Sequence, residues 1–150
     1  NWRDDAGRGA YAVAWLALAR AAPLDRMEDL LLAGDVARLS GHADAAVSQL
    51  ARAVALHPED PRAPLAAFTL GRVHLEELGA PRDAAQAFAR TRALAPSGPL
   101  AEDAWAREVE AWSRAGEVET ARARALAYLQ RYPQGHRAHA VRRFGGLEAP

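Results

Sequence analysis

A repeat of small residues and prolines is the feature that most constrains how this chain can fold. The repeated positions, 37 or 38 residues apart, are Gly34 and Gly71, Ala46 and Ala84, and Pro58 and Pro96. Each unit contains an apolar helix pattern, a short polar turn, a second helix pattern rich in small residues, and a closing proline. Two helices in a unit of this length are typical of a helical solenoid.

The repeat predicts a single all-α domain that covers residues 1–150. Pro23 ends the first apolar segment, which we interpret as the second helix of an incomplete unit. Because the chain starts with Asn1 rather than Met, we expect it to be a fragment of a longer protein. The predicted elements are a helix over 6–21, repeats over 25–58, 65–96 and 100–133, and a capping helix over 136–144.

Composition agrees with helices and narrows the classes of partner. Alanine is the commonest residue and the best helix former, whereas isoleucine is absent, which gives strands little support. The 19 basic residues, all arginines, equal the 19 acidic residues, and nucleic-acid binding would need a basic surplus. The absence of cysteine excludes disulfides and thiolate chemistry. No apolar run approaches about 18 residues, so we expect no membrane insertion by this segment.

The spacing of large and small residues resembles the tetratricopeptide repeat. In the first unit Leu30 falls at the large first-helix position, Gly34 at the small position, Ala46 at the close-packed alanine and Leu50 at the aromatic position. The resemblance covers residues 25–133. It implies a right-handed α–α superhelix of about three helical hairpins with additional terminal helices.

The third unit matches the same pattern less regularly. Trp105 and Ala121 take the large position of the first helix and the close-packed alanine. Val109 stands where the family has a small residue, and Ala125 stands where it has an aromatic one. We therefore expect different packing in this unit.

Residues 98–143 also resemble repeat regions of bacterial envelope proteins. These include C-terminal repeats of FecR-type anti-sigma regulators and repeat domains of outer-membrane assembly and cell-division lipoproteins, which often close a repeat with a Tyr-Pro pair, as Tyr132 and Pro133 do here. This resemblance implies a periplasmic scaffolding or signalling role. A cytoplasmic location is the alternative.

No pattern in the sequence predicts catalysis, a cofactor or a metal site. His136 and His139 are three residues apart, but the further ligands of a zinc site are not placed near them. No serine lies in a nucleophile-elbow motif, and no glycine-rich phosphate loop is present. The acid pairs Glu76/Glu77 and Glu108/Glu110 are interpreted as solvated helix faces. The tryptophans are expected to pack in the core, with Trp2 the freest to make a contact.

The resemblance places the first helix of each unit along a concave groove. Six charged residues on these helices, spaced three or four apart so that each pair shares a helix face, are the predicted partner-binding positions: Asp35, Arg38, Arg72, Glu76, Glu110 and Arg114. They fit either salt bridges on a wet surface or a groove for a peptide of mixed charge. The family's carboxylate clamp is not present, because it needs lysine and asparagine.

The sequence therefore predicts a non-enzymatic scaffold that binds a protein or peptide partner. One alternative is an oligomerisation module, in which the incomplete N-terminal unit pairs with a second copy to form a homodimer. Another alternative is an accessory domain of an enzyme whose catalytic part lies outside this chain.

Overall fold

The computed structural model describes residues 1–148, which form helices and turns and contain no strand. The helices are α1 (Trp2–Gly7), α2 (Tyr11–Leu18), α3 (Met27–Leu39), α4 (Ala43–Leu56), α5 (Ala63–Arg72) with a π-helical continuation (Val73–Glu77), α6 (Pro81–Leu94), α7 (Ala101–Arg114), α8 (Val118–Arg131) and α9 (Ala138–Phe144). Within this part of the chain, no helix combines the length and the apolar character needed to cross a membrane.

The prediction of one helix over 6–21 is wrong, because α1 ends at Gly7 and the next helix, α2, covers only Tyr11–Leu18. Gly9, with a φ of 77°, interrupts the helix in a left-handed conformation that glycine adopts without strain. Asn1 caps α1 by accepting backbone hydrogen bonds from Arg3 and Asp4. Trp2 is 5% exposed and packs against α2 and α3, so the expectation that Trp2 is free for a contact is also wrong.

Successive helices pack against each other along the chain. The closest neighbours are α3 with α4, α5 with α6, α6 with α7, and α7 with α8, while α9 closes against both α7 and α8. The buried apolar side chains form separate clusters between these neighbours. The outward faces of the helices carry charged and polar side chains together with some large apolar ones, such as Val13, Leu16 and Val118.

Two repeated glycines mark places where a large side chain of the next helix lies against the helix backbone. A Cβ atom on Gly34 would lie 3.2 Å from Leu50 Cγ, and one on Gly71 would lie 2.7 Å from Phe88 Cε1. Ala46 and Ala84, the close-packed alanines of the pattern, are completely buried. The small positions therefore make room for a large residue of the partner helix.

In the third unit the large and small residues exchange positions between the two helices. Val109 on α7 and Ala125 on α8 are both fully buried in one cluster, where the earlier units pair a glycine with a large residue. The space left by the small Ala125 is taken by the backbone of Gly145, at which any Cβ would collide with Ala125 Cβ. This exchange accounts for the departure from the repeat pattern.

The two repeat periods, 37 and 38, differ because of one residue in α5. Gly41 follows Gly34 by seven residues, whereas Gly79 follows Gly71 by eight. The extra residue is contained in the π-helical continuation Val73–Glu77, since one inserted residue converts a single turn of α-helix into a wider π-turn. The backbone hydrogen bonds that follow the two helices differ by the same one residue. His42 N donates to Ala37 O, five residues back, whereas Ala80 N donates to His74 O, six residues back.

The interpretation of Glu108 as a solvated residue is wrong, because its side chain is only 1% exposed. Its carboxylate accepts hydrogen bonds from Arg92 of α6 at 2.5 and 3.2 Å, from Arg124 of α8 at 3.1 Å, and from the indole of Trp112 at 3.0 Å. Arg92 in turn lies over the ring of Trp105, 4.3 Å from its centroid. Glu108 thus joins α6, α7 and α8 through a fully hydrogen-bonded buried charge.

Candidate partner-binding groove

The outward faces of α3 and α5 lie side by side and form a groove. The buried residues of this part of α3 are Leu30, Ala33, Gly34, Val36 and Ala37, whereas Asp35 is exposed and Arg38 is half-buried. The charged half of the groove is a cleft of about 130 Å³. It is lined by Asp35, Arg38, Thr69, Arg72, Val73, Glu76 and Glu77, and we call it the charged cleft.

Four of the six predicted partner-binding residues line the charged cleft. Asp35 and Arg38 come from α3, Arg72 from the end of α5, and Glu76 from its π-helical continuation. The other two predicted residues, Glu110 and Arg114, lie on α7 and do not line this cleft.

Arg107 of α7 connects the two sets of predicted residues. Its guanidinium forms an ion pair with Glu76 and lies 3.5 Å from Glu110, which in turn lies 3.4 Å from Arg114. Sequence reasoning missed Arg107. Its position three residues before Glu110 places both side chains on one helix face, and that spacing was the available signal.

The charged cleft has arginines and acids whose hydrogen-bonding capacity is only partly used. Arg38 makes one long hydrogen bond, 3.4 Å to Asp35, and its Nε is buried without a partner among the described residues. Arg72 lies 4.0 Å from Glu76 and is 55% exposed. A guanidinium has five N–H donors. Among the acids, Glu76 lies between Arg72 and Arg107, whereas Glu77 has no ion pair among the described residues. The cleft therefore offers both donors and acceptors.

An apolar cleft adjoins the start of α5. It has a volume of about 390 Å³ and is built largely from the connectors before α5 and before α7. Its lining residues, which define the proline cleft, are Pro61, Pro64, Leu65, Thr91, Ala95, Gly98, Pro99 and Leu100. The Thr91 hydroxyl donates to Ala87 O at 3.0 Å, so it is already engaged within α6.

A third cleft, of about 200 Å³, joins the other two. It shares Leu65 with the proline cleft, and Asp35 and Thr69 with the charged cleft. The charged cleft and this third cleft lie between α3 and α5, and the proline cleft, between α5 and the α6–α7 connection, meets them at Leu65.

His136 lies between two acidic residues at the start of α7. His136 Nδ1 lies 3.1 Å from Glu102, and Nε2 lies 2.9 Å from Asp103, so the ring links the start of α7 to the segment before α9. Burial raises the pKa of Asp103. Hydrogen bonds from Arg137 and His136 lower it, and together they outweigh burial, so the pKa lies below its usual value. Across residues 1–148, no three His, Asp or Glu side chains converge on a point suited to a metal ion.

Comparison of the sequence with models of known protein families gave no match, and comparison with curated proteins gave no significant match.

Proposed function

We propose that this chain is a non-enzymatic scaffold that binds a peptide or partner protein in the groove between α3 and α5. The observation that carries the proposal is the charged cleft, in which side chains of both charges from α3, α5 and its π-helical continuation line one space. Mixed charge beside an apolar cleft suits a polypeptide, which offers both kinds of side chain.

The proposed architecture is a tetratricopeptide-like superhelix whose hairpins are α3/α4, α5/α6 and α7/α8. Support comes from the glycine-to-large-residue contacts, which recur at Gly34 and Gly71 and are exchanged at Val109. From the separate resemblance of residues 98–143 to repeat regions of bacterial envelope proteins, we propose that the chain is periplasmic, as the repeat domain of an envelope regulator or assembly protein. A cytoplasmic location is the alternative.

Charge reversal of the predicted arginines tests the groove. Peptides that bind the purified protein are first selected from a random displayed library, and their affinities are then measured for the R38E/R72E/R114E variant. We expect at least a tenfold loss of affinity, because two cations that line the charged cleft, Arg38 and Arg72, and a third on α7, Arg114, are replaced by anions. Fluorescence anisotropy with the selected peptides gives the dissociation constants.

The matched control reverses three exposed arginines outside the groove, R20E/R90E/R142E, which have no ion pair among the described residues. Both variants are first shown to melt near the wild-type temperature, since exposed ion pairs contribute only about 0–1 kcal/mol each. Equal affinity of the two variants for the selected peptides would contradict a binding role of the groove.

A second candidate function is homodimer formation through the N-terminal unit. Helix α2 contains no charged residue, and its outer side chains Val13 and Leu16 are 56% and 67% exposed. The opposite end of the domain exposes Arg142 and Arg143 on α9 instead. The exposed apolar side chains of α2 favour pairing of two N-terminal ends.

Sedimentation velocity at several protein concentrations tests this dimer. We expect a weak, concentration-dependent dimer, because an eight-residue helix is only about 12 Å long and covers far less than a standard interface of about 800 Å² per partner. The V13E/L16E variant is expected to stay monomeric. The control V118E/L126E changes two similarly exposed apolar residues of α8 and should dimerise like the wild type. A wild-type monomer at every concentration would exclude this function.

A further inference from the structure

We propose that the proline cleft is a second binding site, which receives the aromatic ring of a phenylalanine side chain from a partner polypeptide. This site lies outside the groove between α3 and α5, since none of its lining residues belongs to α3. Two connectors of the chain have the same backbone conformation, but one is filled by aromatic rings and the other forms the proline cleft.

The connectors after α6 and after α8 have the same backbone hydrogen bonds. Gly98 N donates to Ala95 O and Gly135 N donates to Tyr132 O, both at 3.0 Å. Each glycine carbonyl then accepts from the first residue of the next helix, at 3.2 and 3.0 Å. The values of φ and ψ are −147° and 78° at Ala95, and −130° and 69° at Tyr132. Because the backbones match, equivalent side chains leave them in the same direction.

Aromatic rings fill the space beside the connector after α8. Tyr128 is fully buried, and its hydroxyl donates to Glu102 at the start of α7 at 2.9 Å. Tyr132 packs against Tyr128 with ring centroids 5.1 Å apart, and against Trp105 of α7 with centroids 6.0 Å apart. The rings therefore span the space between α7 and the end of α8.

Small residues occupy the equivalent positions before the connector after α6. Counted back from the closing proline of each unit, Thr91 corresponds to Tyr128 and Ala95 corresponds to Tyr132. Thr91 and Ala95 both line the proline cleft, whose volume is about 390 Å³. An apolar cavity of about 150 Å³ is enough to bind benzene, so the cleft has room for an aromatic ring. The cleft thus lies where the following unit places its own tyrosine rings.

A side chain also bridges the connector after α4 to the preceding first helix. His57 stands at the position of Ala95 and Tyr132, and its Nε2 lies 2.5 Å from the carbonyl oxygen of Asp25, just before α3. Ala95 is therefore the one small residue at this position among the three connectors. The middle connector is the one in which a side chain from another molecule can take the bridging position.

The lining of the proline cleft favours a phenyl ring. Pro61, Pro64 and Pro99 contribute three proline rings, and prolines pack well against aromatic rings in peptide recognition. Pro64 stands at the position of Glu102, so the carboxylate that accepts from the Tyr128 hydroxyl has no counterpart here. A phenol hydroxyl in this cleft would lose hydrogen bonds to water without that acceptor, whereas a phenyl ring has none to lose.

Capped amino acids test the choice of ligand. The N-acetyl amides of phenylalanine, tyrosine, leucine and alanine are titrated into the isotope-labelled protein, and NMR follows the backbone amides of Leu65, Thr91 and Gly98. We expect the phenylalanine probe to shift these amides saturably and to bind about tenfold more tightly than the alanine probe, because ring burial removes apolar surface from water. A leucine or tyrosine probe that binds as tightly as the phenylalanine probe would overturn the assignment of the ligand.

Two variants test the location of the bound ring. Ala95→Tyr places a ring where Tyr132 lies in the next unit, so we expect it to fill the cleft and lower the affinity for the phenylalanine probe about tenfold. Leu65→Asp puts a charge at the rim and should also weaken binding, and it should fold because Leu65 is 56% exposed. The controls Ala123→Tyr and Leu126→Asp change exposed residues of α8 and should bind the probe like the wild type.

Unchanged binding of the phenylalanine probe by both Ala95→Tyr and Leu65→Asp would overturn this site. The groove between α3 and α5 would remain a candidate in that case, since its test uses other residues and other peptides. Loss of probe binding in R38E/R72E/R114E would also overturn the site, because none of these arginines lines the proline cleft.

Discussion

Replacing Glu108 with alanine is expected to lower the free energy of unfolding by about 3 kcal/mol. The substitution removes the one carboxylate that accepts hydrogen bonds from Arg92, Arg124 and Trp112. Removing one partner of a buried ion pair leaves the other charge uncompensated, which commonly costs about 3–5 kcal/mol. We expect the lower end of this range, because Arg92 and Arg124 are 23% and 48% exposed and can recover hydration. Urea unfolding followed by circular dichroism measures the change.

Two further variants make this result specific to the buried carboxylate. Glu108→Gln keeps the size and one acceptor, so its effect is expected to lie between those of the wild type and Glu108→Ala. Glu119→Gln changes an exposed acid on α8 that has no ion pair among the described residues, and it should stay within about 0.5 kcal/mol of the wild type. A Glu108→Ala protein as stable as the Glu119→Gln protein would show that the cluster does not hold α6, α7 and α8 together.

Replacing Phe88 with alanine is expected to cost about 3–5 kcal/mol, the range for removing a large aromatic side chain from a core. Phe88 is fully buried, its ring lies over the Gly71 backbone, and it meets Phe68 edge-on with centroids 5.4 Å apart. Loss of the ring leaves a cavity between α5 and α6 that these neighbours cannot fill. Denaturant unfolding at constant pH gives the free energy.

The third unit has a larger residue, Val109, at the position that corresponds to Gly71. It therefore suggests combining Phe88→Ala with Gly71→Val. Gly71→Val alone should cost about 1–3 kcal/mol, because its Cβ would lie 2.7 Å from Phe88 Cε1. In the double variant the valine occupies part of the space that the ring leaves, as Val109 does opposite Ala125. We expect the two effects to be coupled by at least about 1 kcal/mol in the favourable direction. Strictly additive effects would mean that Gly71 and Phe88 do not share one packing site.

The helices were predictable from sequence where large and small residues recur at the spacing of the repeat, as at Gly34 and Leu50. The single helix over 6–21 was not a correct prediction. The break between α1 and α2 depends on the left-handed conformation of Gly9, and the apolar run that follows gives no sign of it. Burial of Glu108 was also not predictable from α7 alone. Its arginine partners are 16 residues away on either side, on two other helices.

The candidate groove was predictable in part. Asp35, Arg38, Arg72 and Glu76 were chosen by spacing along single helices, and the structure brings them to one cleft. The proline cleft was not predicted, because its walls come from two connectors that are distant in sequence and carry no helical period. Local spacing reveals which residues share a helix face, whereas a cleft between elements depends on how the elements meet.

The π-turn at Val73–Glu77 has a consequence for how such a chain can change during evolution. A residue added inside a helix would normally rotate every later side chain by about 100° and disrupt the next interface. Here the addition is confined to one turn, and Ala84 returns to its buried position five residues after Gly79, as Ala46 does after Gly41. The turn also carries Glu76, which faces the groove. An insertion that leaves core packing unchanged can therefore alter the side chains presented to a partner. Partner recognition can then diverge between repeats that keep the same packing.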